Sequence, residues 1–224
     1  GGAGYVGLVT GLGLAESGHS VINVDVDRDR VQMLQSGRSP IHEEGLPPLL
    51  KRNLDAKRLS FSTDLGPAVT SSDVIFIAVG TPSRDDGQAD LSQVIQVTEE
   101  LINHIDQYKV IAIKSTVPVG TVELVRGMLA REKVEGTDFD IVANPEFLRE
   151  GSAVGDFLSP DRIVIGSEDQ AAAIKVSSLY LGISAPIVAT DPASAETIKY
   201  AANAFLATKL SFANAIAAIC EGVG

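Results

Sequence analysis

The chain has 224 residues with 45% hydrophobic content, enough to bury a sizeable core in one large domain, or in one domain and part of another. A single cysteine, Cys220, rules out a disulfide framework and favours the reducing cytoplasm, and the three histidines have no metal-ligand spacing, so no metal site is expected. The formal net charge of -11 argues against a general nucleic-acid surface, since phosphate binding depends on clustered Lys and Arg. An anionic ligand must therefore be held locally, by backbone N–H groups or a few placed cations.

A glycine-rich loop opens the chain as GGAGYVG. Gly2, Gly4 and Gly7 make a G-x-G-x-x-G pattern, in which the first glycine permits a tight turn, the second lets the backbone approach a pyrophosphate, and the third lets helix and strand pack closely. A helix that begins here directs its N–H groups and partial positive charge at the phosphates. Such a loop normally follows a buried central strand, so we expect a short apolar strand before Gly1.

An acidic residue stands where the adenosine ribose of a dinucleotide is expected. Asp25 ends the apolar run VINVD, eighteen residues beyond Gly7. A carboxylate there accepts hydrogen bonds from the ribose hydroxyls and repels a 2′-phosphate, which favours NAD over NADP. The alternative is a structural glycine turn followed by a surface Asp.

Short apolar, β-branched runs alternate with longer segments of helical periodicity along the chain. The runs are VINVDV from Val21, LSFST from Leu59, VIFIAV from Val74, KVIAIK from Lys109, DIVAN from Asp140, RIVIG from Arg162 and PIVAT from Pro186. Strands that alternate with helices indicate a parallel sheet covered on both faces. The sequence therefore predicts an α/β fold for residues 1–190, built on a doubly wound, Rossmann-like sheet.

Polar residues follow three of the predicted strands, in VIFIAVGTP, VIAIKSTVPVG and IVANPEFLREG. Ligands of open α/β sheets bind outside the carboxyl ends of the strands. Three such polar stops indicate a site, and its candidate members are Thr81, Thr116, Glu146 and Glu150. For each residue, ordinary turn chemistry is the alternative.

The pattern changes at Asp191, which is followed by Pro192. Asp is a favoured helix N-cap and Pro a favoured first helical residue, and the Ala-rich sequence then continues to about residue 219 without a helix breaker. Residues 191–224 are therefore expected to form one long helix that connects this domain to a second one. Polar residues interrupt its apolar stretch, so a membrane span is not expected.

Lys199 and Asn203 lie four residues apart on this long helix, so both side chains can face one point. A cation set among Ala, Tyr and Phe is costly to bury unless it meets a partner or a ligand. Lys199 is therefore a candidate for binding a substrate oxygen or an oxyanion. A solvated lysine at an exposed turn is the alternative.

Taken together, these motifs resemble the UDP-glucose/GDP-mannose dehydrogenase family over essentially the whole chain. The family's order and spacing are kept by GAGYVG, VDVD, SPIHEEGL, VGTP, KSTVPVGT, NPEFLREGSA, DRIVIG and IKYAANAFLATKLSFANAIAAICEGVG. The resemblance implies an NAD-dependent enzyme that oxidises the terminal alcohol of a nucleotide sugar twice, to the acid. It favours UDP-glucose as the substrate and UDP-glucuronate as the product, with GDP-mannose and UDP-N-acetyl-mannosamine as alternative substrates.

The resemblance also implies roles for individual residues. NAD would be contacted by Gly2, Gly4, Tyr5, Val6, Gly7, Asp25, Arg30, Thr81, Thr116 and Glu150, where Arg30 replaces the usual Lys. The sugar site would be lined by Glu146, Phe147, Leu148, Arg149, Glu150, Lys199 and Asn203. Two catalytic roles follow: Thr116 and Glu150 would place a water for proton transfer or hydrolysis. Lys199 and Asn203 would stabilise the oxyanion formed during hydride transfer.

The family's nucleophilic cysteine belongs to a GGxCxPKD motif beyond the long helix, and the nucleotide-sugar domain follows that helix; this sequence contains neither. The chain is therefore expected to bind NAD without completing the oxidation. Cys220 belongs to a different motif, AICEGVG, and is expected to be a small, buried, structural residue. Family members pair through the long helix, which implies a homodimer or a higher homo-oligomer. A non-catalytic NAD-binding or dimerisation module is the second class of function.

Overall fold

The computed structural model describes residues 2–224, which form seven strands and nine helices. In chain order these are α1 (Tyr5–Glu16), β1 (Val21–Val24), α2 (Arg28–Gln35), α3 (Leu46–Asp55), β2 (Leu59–Ser62), α4 (Leu65–Thr70), β3 (Val74–Ile77), α5 (Ser92–Ile102), β4 (Lys109–Ile113), α6 (Thr121–Leu129), β5 (Phe139–Ala143), α7 (Ala153–Leu158), β6 (Ile163–Gly166), α8 (Gln170–Ser178), β7 (Ile187–Thr190) and α9 (Pro192–Val223). Each apolar run that predicts a strand forms one.

The strands form two sheets. β1 pairs with β2, and the other strands follow the order β3-β4-β5-β6-β7. All neighbours are parallel except β5 and β6, which meet in antiparallel orientation at Ala143 and Gly166. The connection that contains the NPEFLREG motif therefore stays at the carboxyl end of β5 and does not cross the sheet. The Rossmann-like α/β prediction is confirmed, with this one departure from a fully parallel sheet.

Hydrophobic clusters cover both faces of the five-stranded sheet. Val110 and Ala112 of β4 pack on one face with apolar residues of α1, α3, α7 and α8. Ile111 and Ile113 pack on the other face with residues of α5 and α6 and with Ala195 of α9. Because successive side chains of a strand point to opposite faces, a continuous apolar run needs helices on both sides.

A cleft of about 440 Å³ lies between β1 and β3. Within residues 2–224, β1 pairs only with β2 and β3 only with β4. Gly2 lies at the end of this cleft, where its N–H donates to the Val24 carbonyl at 2.7 Å. Thr10 Oγ1 also lines the cleft and is buried with no hydrogen-bond partner among the described residues. The strand expected before Gly1 lies outside the described part of the chain and stays a prediction.

The long helix α9 has 32 residues, about 48 Å at 1.5 Å per residue. Its predicted N-cap is present, since the Asp191 carboxylate accepts the Ser194 N–H at 2.8 Å. Only its first turns are buried in the domain, and every residue from 203 onward is exposed. Among residues 2–224, α9 is also the one helix long and apolar enough, by length and composition, to cross a membrane. The expectation that it does not stays a prediction.

Cys220 lies on the exposed part of α9 and is itself exposed. The expectation of a buried structural cysteine is therefore wrong for this structure. The apolar neighbours that suggested burial, such as Ile216 and Ile219, are exposed as well, because the last turns of α9 pack against no other part of residues 2–224.

Candidate active site

The glycine loop forms a tight turn into α1. Gly2 has a φ of 104°, a left-handed conformation that favours glycine. A side chain on Gly7 would meet the Gly2 carbonyl oxygen at 1.8 Å, so close packing requires glycine there as well. Gly4 is the N-cap of α1, no side chain caps this helix, and nothing lies within 4 Å of the place where a Cβ would stand. The first N–H groups of α1 therefore have no side-chain cap and lie beside open space, as an anion-binding helix N-terminus requires.

Asp25 lies directly beside this loop and is buried. Its Oδ2 accepts the Ala3 N–H at 2.7 Å and an Arg30 guanidinium N–H at 3.0 Å, and its Oδ1 accepts the Asp27 N–H at 2.9 Å. Burial raises the pKa of Asp25, but these hydrogen bonds outweigh it and hold the pKa below its ordinary value. The carboxylate is ionised at neutral pH and keeps acceptor capacity for a ribose hydroxyl.

A second cavity, of about 300 Å³, lies beyond the carboxyl end of β5, between the NPEFLREG segment and α9. Six of the seven residues predicted to line a sugar site line this cavity: Glu146, Phe147, Leu148, Arg149, Lys199 and Asn203. The seventh, Glu150, is exposed and is not part of the lining. Burial, the hydrogen bond to Glu43 and the charges of Glu43 and Glu150 raise the pKa of Tyr5, so the Glu150 carboxylate lies close enough to the Tyr5 hydroxyl to act on it.

Lys199 and Glu146 form a buried ion pair in this cavity. Lys199 Nζ donates to Glu146 Oε1 at 2.8 Å, and the two side chains are 6% and 10% exposed. Thr116 Oγ1 approaches the same carboxylate oxygen at 3.5 Å. The Thr81 hydroxyl in turn donates to the Thr116 carbonyl at 2.6 Å, which joins the ends of β3 and β4. The alternative of a solvated lysine is therefore wrong, because α9 carries Lys199 into the domain.

Glu196 fixes α9 to the loop that carries Thr116. Its Oε2 accepts the Gly120 N–H at 2.7 Å and its Oε1 accepts the Val122 N–H at 2.8 Å, so the carboxylate caps the N-terminus of α6. Burial raises the pKa of Glu196, against the effect of these hydrogen bonds. One helix therefore binds both polar segments of the site, through Glu196 and Lys199.

Lys114 is a cavity residue that the sequence reasoning missed. It is 5% exposed, and its ammonium donates to Asn144 Oδ1 and to the Tyr180 hydroxyl oxygen, each at 3.2 Å. Burial lowers the pKa of Lys114 to about 8; Glu146 opposes this shift and Lys199 adds to it. The available signal was its position in VIAIK, where a charged residue ends an apolar strand.

Glu43, in the SPIHEEGL motif, is a second missed residue and links the two halves of the site. It is 4% exposed and accepts the Tyr5 hydroxyl at 2.5 Å, the Gly151 N–H at 2.6 Å and the Ala153 N–H at 3.1 Å. Burial raises the pKa of Glu43, but these hydrogen bonds hold it below its ordinary value. The hydroxyl of Tyr5, a predicted cofactor residue, is thus used to position the segment that begins at Gly151.

The other predicted residues have defined places. Val6 lies half-buried in the first turn of α1. Arg30 is held by Asp25 and, at 3.6 Å, by Asp27. Arg149 is bound to Asp156 at 2.5 Å. The cofactor and catalytic roles of all these side chains stay predictions.

A glycine turn into an uncapped helix, with a buried acid beyond the next strand, defines a dinucleotide-binding domain of the Rossmann type. Residues 1–184 match the NAD binding domain of the UDP-glucose/GDP-mannose dehydrogenase family, and residues 193–224 match its central domain. The chain belongs to the UDP-glucose/GDP-mannose dehydrogenase family. The predicted family and the predicted cofactor, NAD, are both confirmed.

Individual relatives agree with this result. The chain is 49% identical to UDP-glucose 6-dehydrogenase of Rhizobium meliloti (strain 1021), over 100% of the chain and 52% of that protein. It is similar to the solved structure of a UDP-glucose dehydrogenase from Pyrobaculum islandicum, with a TM-score of 0.92 and 45% identity over 96% of this chain and 50% of that one. It is also similar to the solved structure of GDP-mannose dehydrogenase from Pseudomonas aeruginosa, with a TM-score of 0.90 and 38% identity over 95% of this chain and 50% of that one. The chain spans about half the length of these relatives.

Proposed function

We propose that this chain is the NAD-binding half of a nucleotide-sugar dehydrogenase, with residues 1–190 as the NAD-binding domain and residues 191–224 as a connecting helix. The observation that carries the proposal is the buried pair of Lys199 and Glu146, with Thr116 beside it, at the carboxyl edge of the sheet. Cofactor binding alone needs no such pair, so a non-catalytic module is the weaker reading.

The cofactor loop and the 300 Å³ cavity divide the work of the reaction. NAD, when bound, accepts a hydride from the substrate carbon. The glycine loop and Asp25 hold the cofactor, and Lys199 stabilises the negative charge that develops on the substrate oxygen. Glu146 orients Lys199, and Asn203 faces the same cavity from the next turn of α9. Thr116 and Glu150 take the predicted role of placing a water.

The proposed substrate is UDP-glucose and the proposed product UDP-glucuronate. Each turnover consumes two NAD and one water, and releases two NADH and three protons along with the carboxylate. The names of the relatives support this choice, since UDP-glucose dehydrogenases are among those most similar in sequence and in structure. GDP-mannose is the second candidate, because a GDP-mannose dehydrogenase matches the fold with a TM-score of 0.90.

The proposed assembly is a homodimer, in the cytoplasm, with neither a nucleic acid nor a membrane as partner. Its support is the row of exposed apolar side chains on one face of α9, which are Phe205, Phe212, Ile216 and Ile219. A second copy of α9 is the partner that would bury this row.

The test is an assay of the full-length protein with NAD and a panel of nucleotide sugars. We expect two NADH for each UDP-glucose consumed. Oxidation of GDP-mannose but not of UDP-glucose would overturn the substrate. NAD binding without oxidation of any nucleotide sugar would support the non-catalytic module instead.

A further inference from the structure

Arg162 is a half-buried arginine in the wall of the 300 Å³ cavity. It immediately precedes β6, and its guanidinium carbon lies 4.1 Å from the centre of the Phe147 ring. Lys199 Nζ lies 5.3 Å from the same ring centre. The two cations therefore border one aromatic ring in the floor of the cavity.

The other cations of the cavity already have partners. Lys199 is paired with Glu146 and Arg149 with Asp156. The Lys114 ammonium donates to two neutral oxygens. Arg162 is different: within residues 2–224 it has the contact with Phe147 and no hydrogen-bond or ion-pair partner.

The stacking leaves the guanidinium ready to bind an anion. An arginine that lies against an aromatic ring keeps its N–H groups in the guanidinium plane, where they form a fork that matches the oxygens of a phosphate. Because a guanidinium is weakly hydrated, replacing its water by a phosphate costs less than it does for a lysine ammonium. In a chain with a net charge of -11, such a local cation is what an anionic ligand requires.

We propose that Arg162 binds the diphosphate of the nucleotide-sugar substrate, with Phe147 as the platform that orients the guanidinium. The inference rests on the proposed function. Lys199 takes the alcohol end of the sugar and Arg162 the phosphate end. Both cations lie within 5.3 Å of the centre of the Phe147 ring, so one substrate molecule can reach both of them.

The experiment uses the full-length protein with Arg162→Gln and Arg162→Lys, and with Arg131→Gln as a control in an exposed arginine after α6. Loss of a charged, forked hydrogen bond is expected to raise the KM for the nucleotide sugar about 10- to 100-fold in Arg162→Gln. The KM of Arg162→Lys for the nucleotide sugar is expected to lie between those of Arg162→Gln and the wild type, because lysine keeps the charge but lacks the forked pair of donors. The KM for NAD is expected to change less than about twofold, and the control to match the wild type.

Inorganic diphosphate gives a second readout that does not depend on turnover. It is expected to compete with the nucleotide sugar in the wild type and to bind at least about 10-fold more weakly to Arg162→Gln. Thermal unfolding and NAD binding check that each variant is folded. If Arg162→Gln does not fold, the diphosphate affinity and the KM of Arg162→Lys decide the test. Unchanged diphosphate binding and unchanged KM for the sugar would overturn the inference. A wild type that binds diphosphate through Arg162 yet oxidises no nucleotide sugar would overturn the proposed function alone.

Discussion

The Lys199 ammonium lies 2.8 Å from the Glu146 carboxylate, and both side chains are almost fully buried. The two residues are 53 positions apart, one on α9 and the other in the loop after β5. A buried pair becomes costly when one partner is removed, because the other charge is left without compensation. This contact therefore both anchors α9 to the sheet and forms the chemical centre of the proposed site.

Replacement of the lysine tests this double role. In the full-length protein, Lys199→Met is expected to lower kcat at least about 100-fold, because the substrate oxyanion loses its cation. It is also expected to lower the free energy of unfolding by about 3 kcal/mol, because Glu146 is left buried and unpaired. The control is Lys57→Met, in an exposed lysine after α3, which should change neither quantity. A normal kcat in Lys199→Met would contradict the assignment.

Asp25 is predicted to select NAD over NADP. Asp25→Asn is expected to weaken NAD binding about 10-fold, because a charged acceptor for the ribose is lost. Binding of NADP should improve relative to NAD, since the repulsion of the 2′-phosphate is removed. Calorimetric titration of each cofactor measures both effects. Asp29→Asn, an exposed acid of α2, is the control, and equal effects in the two variants would argue against the ribose contact.

Glu196 accepts two backbone N–H groups, one on each carboxylate oxygen. Glu196→Gln leaves one N–H without an acceptor and brings an amide NH₂ against it, so we expect a loss of about 2 kcal/mol in the free energy of unfolding. Urea unfolding measures the change. Glu221→Gln, at the exposed end of α9, should cost nothing. A similar value for the two variants would show that the cap contributes no stability.

Lys114 gives a prediction about pH. Its pKa of about 8 in the folded protein is below the value of 10.5 for an unfolded lysine, so between these values only the unfolded state binds the proton. The penalty for burying the charged form is therefore complete below pH 8 and disappears above pH 10.5, and stability attributable to this group rises with pH. The difference in unfolding free energy between Lys114→Met and the wild type should change by about 2 kcal/mol from pH 7 to pH 10, in favour of the wild type. A difference in unfolding free energy that does not depend on pH would contradict this prediction.

The proposed dimer is tested on the exposed face of α9. Phe212 is 69% exposed, and Phe212→Glu would place a charge in the apolar surface that a second copy is proposed to cover. Sedimentation of the full-length variant is expected to show a monomer where the wild type is a dimer. Ile174→Glu, at an apolar residue of α8 that is 60% exposed, is the matched control and should leave the dimer intact. A dimeric Phe212→Glu variant would argue against pairing through this face.

The strands and the cofactor loop could be predicted because their signals are local. β-branched runs, the glycine spacing and the cap at Asp191 depend on residues close together in the chain. Contacts of Glu43 and Lys114 could not be read in this way, because their partners are up to 110 residues away. The burial expected for Cys220 failed for a related reason: an apolar helix face does not reveal what covers it.

The sequence alone determined the alternation of strands and helices, the family and the choice of NAD as cofactor. It could do so because periodicity, capping and glycine geometry depend on residues close together in the chain. The tertiary structure decided which polar side chains meet. The order of the strands places the ends of β4 and β5 side by side, and α9 reaches both through Glu196 and Lys199. It also placed Glu146 in the lining of the cavity and Glu150 outside that lining, although the two lie in one motif. Such long-range contacts depend on how whole helices and strands pack together, and no short stretch of sequence determines that packing.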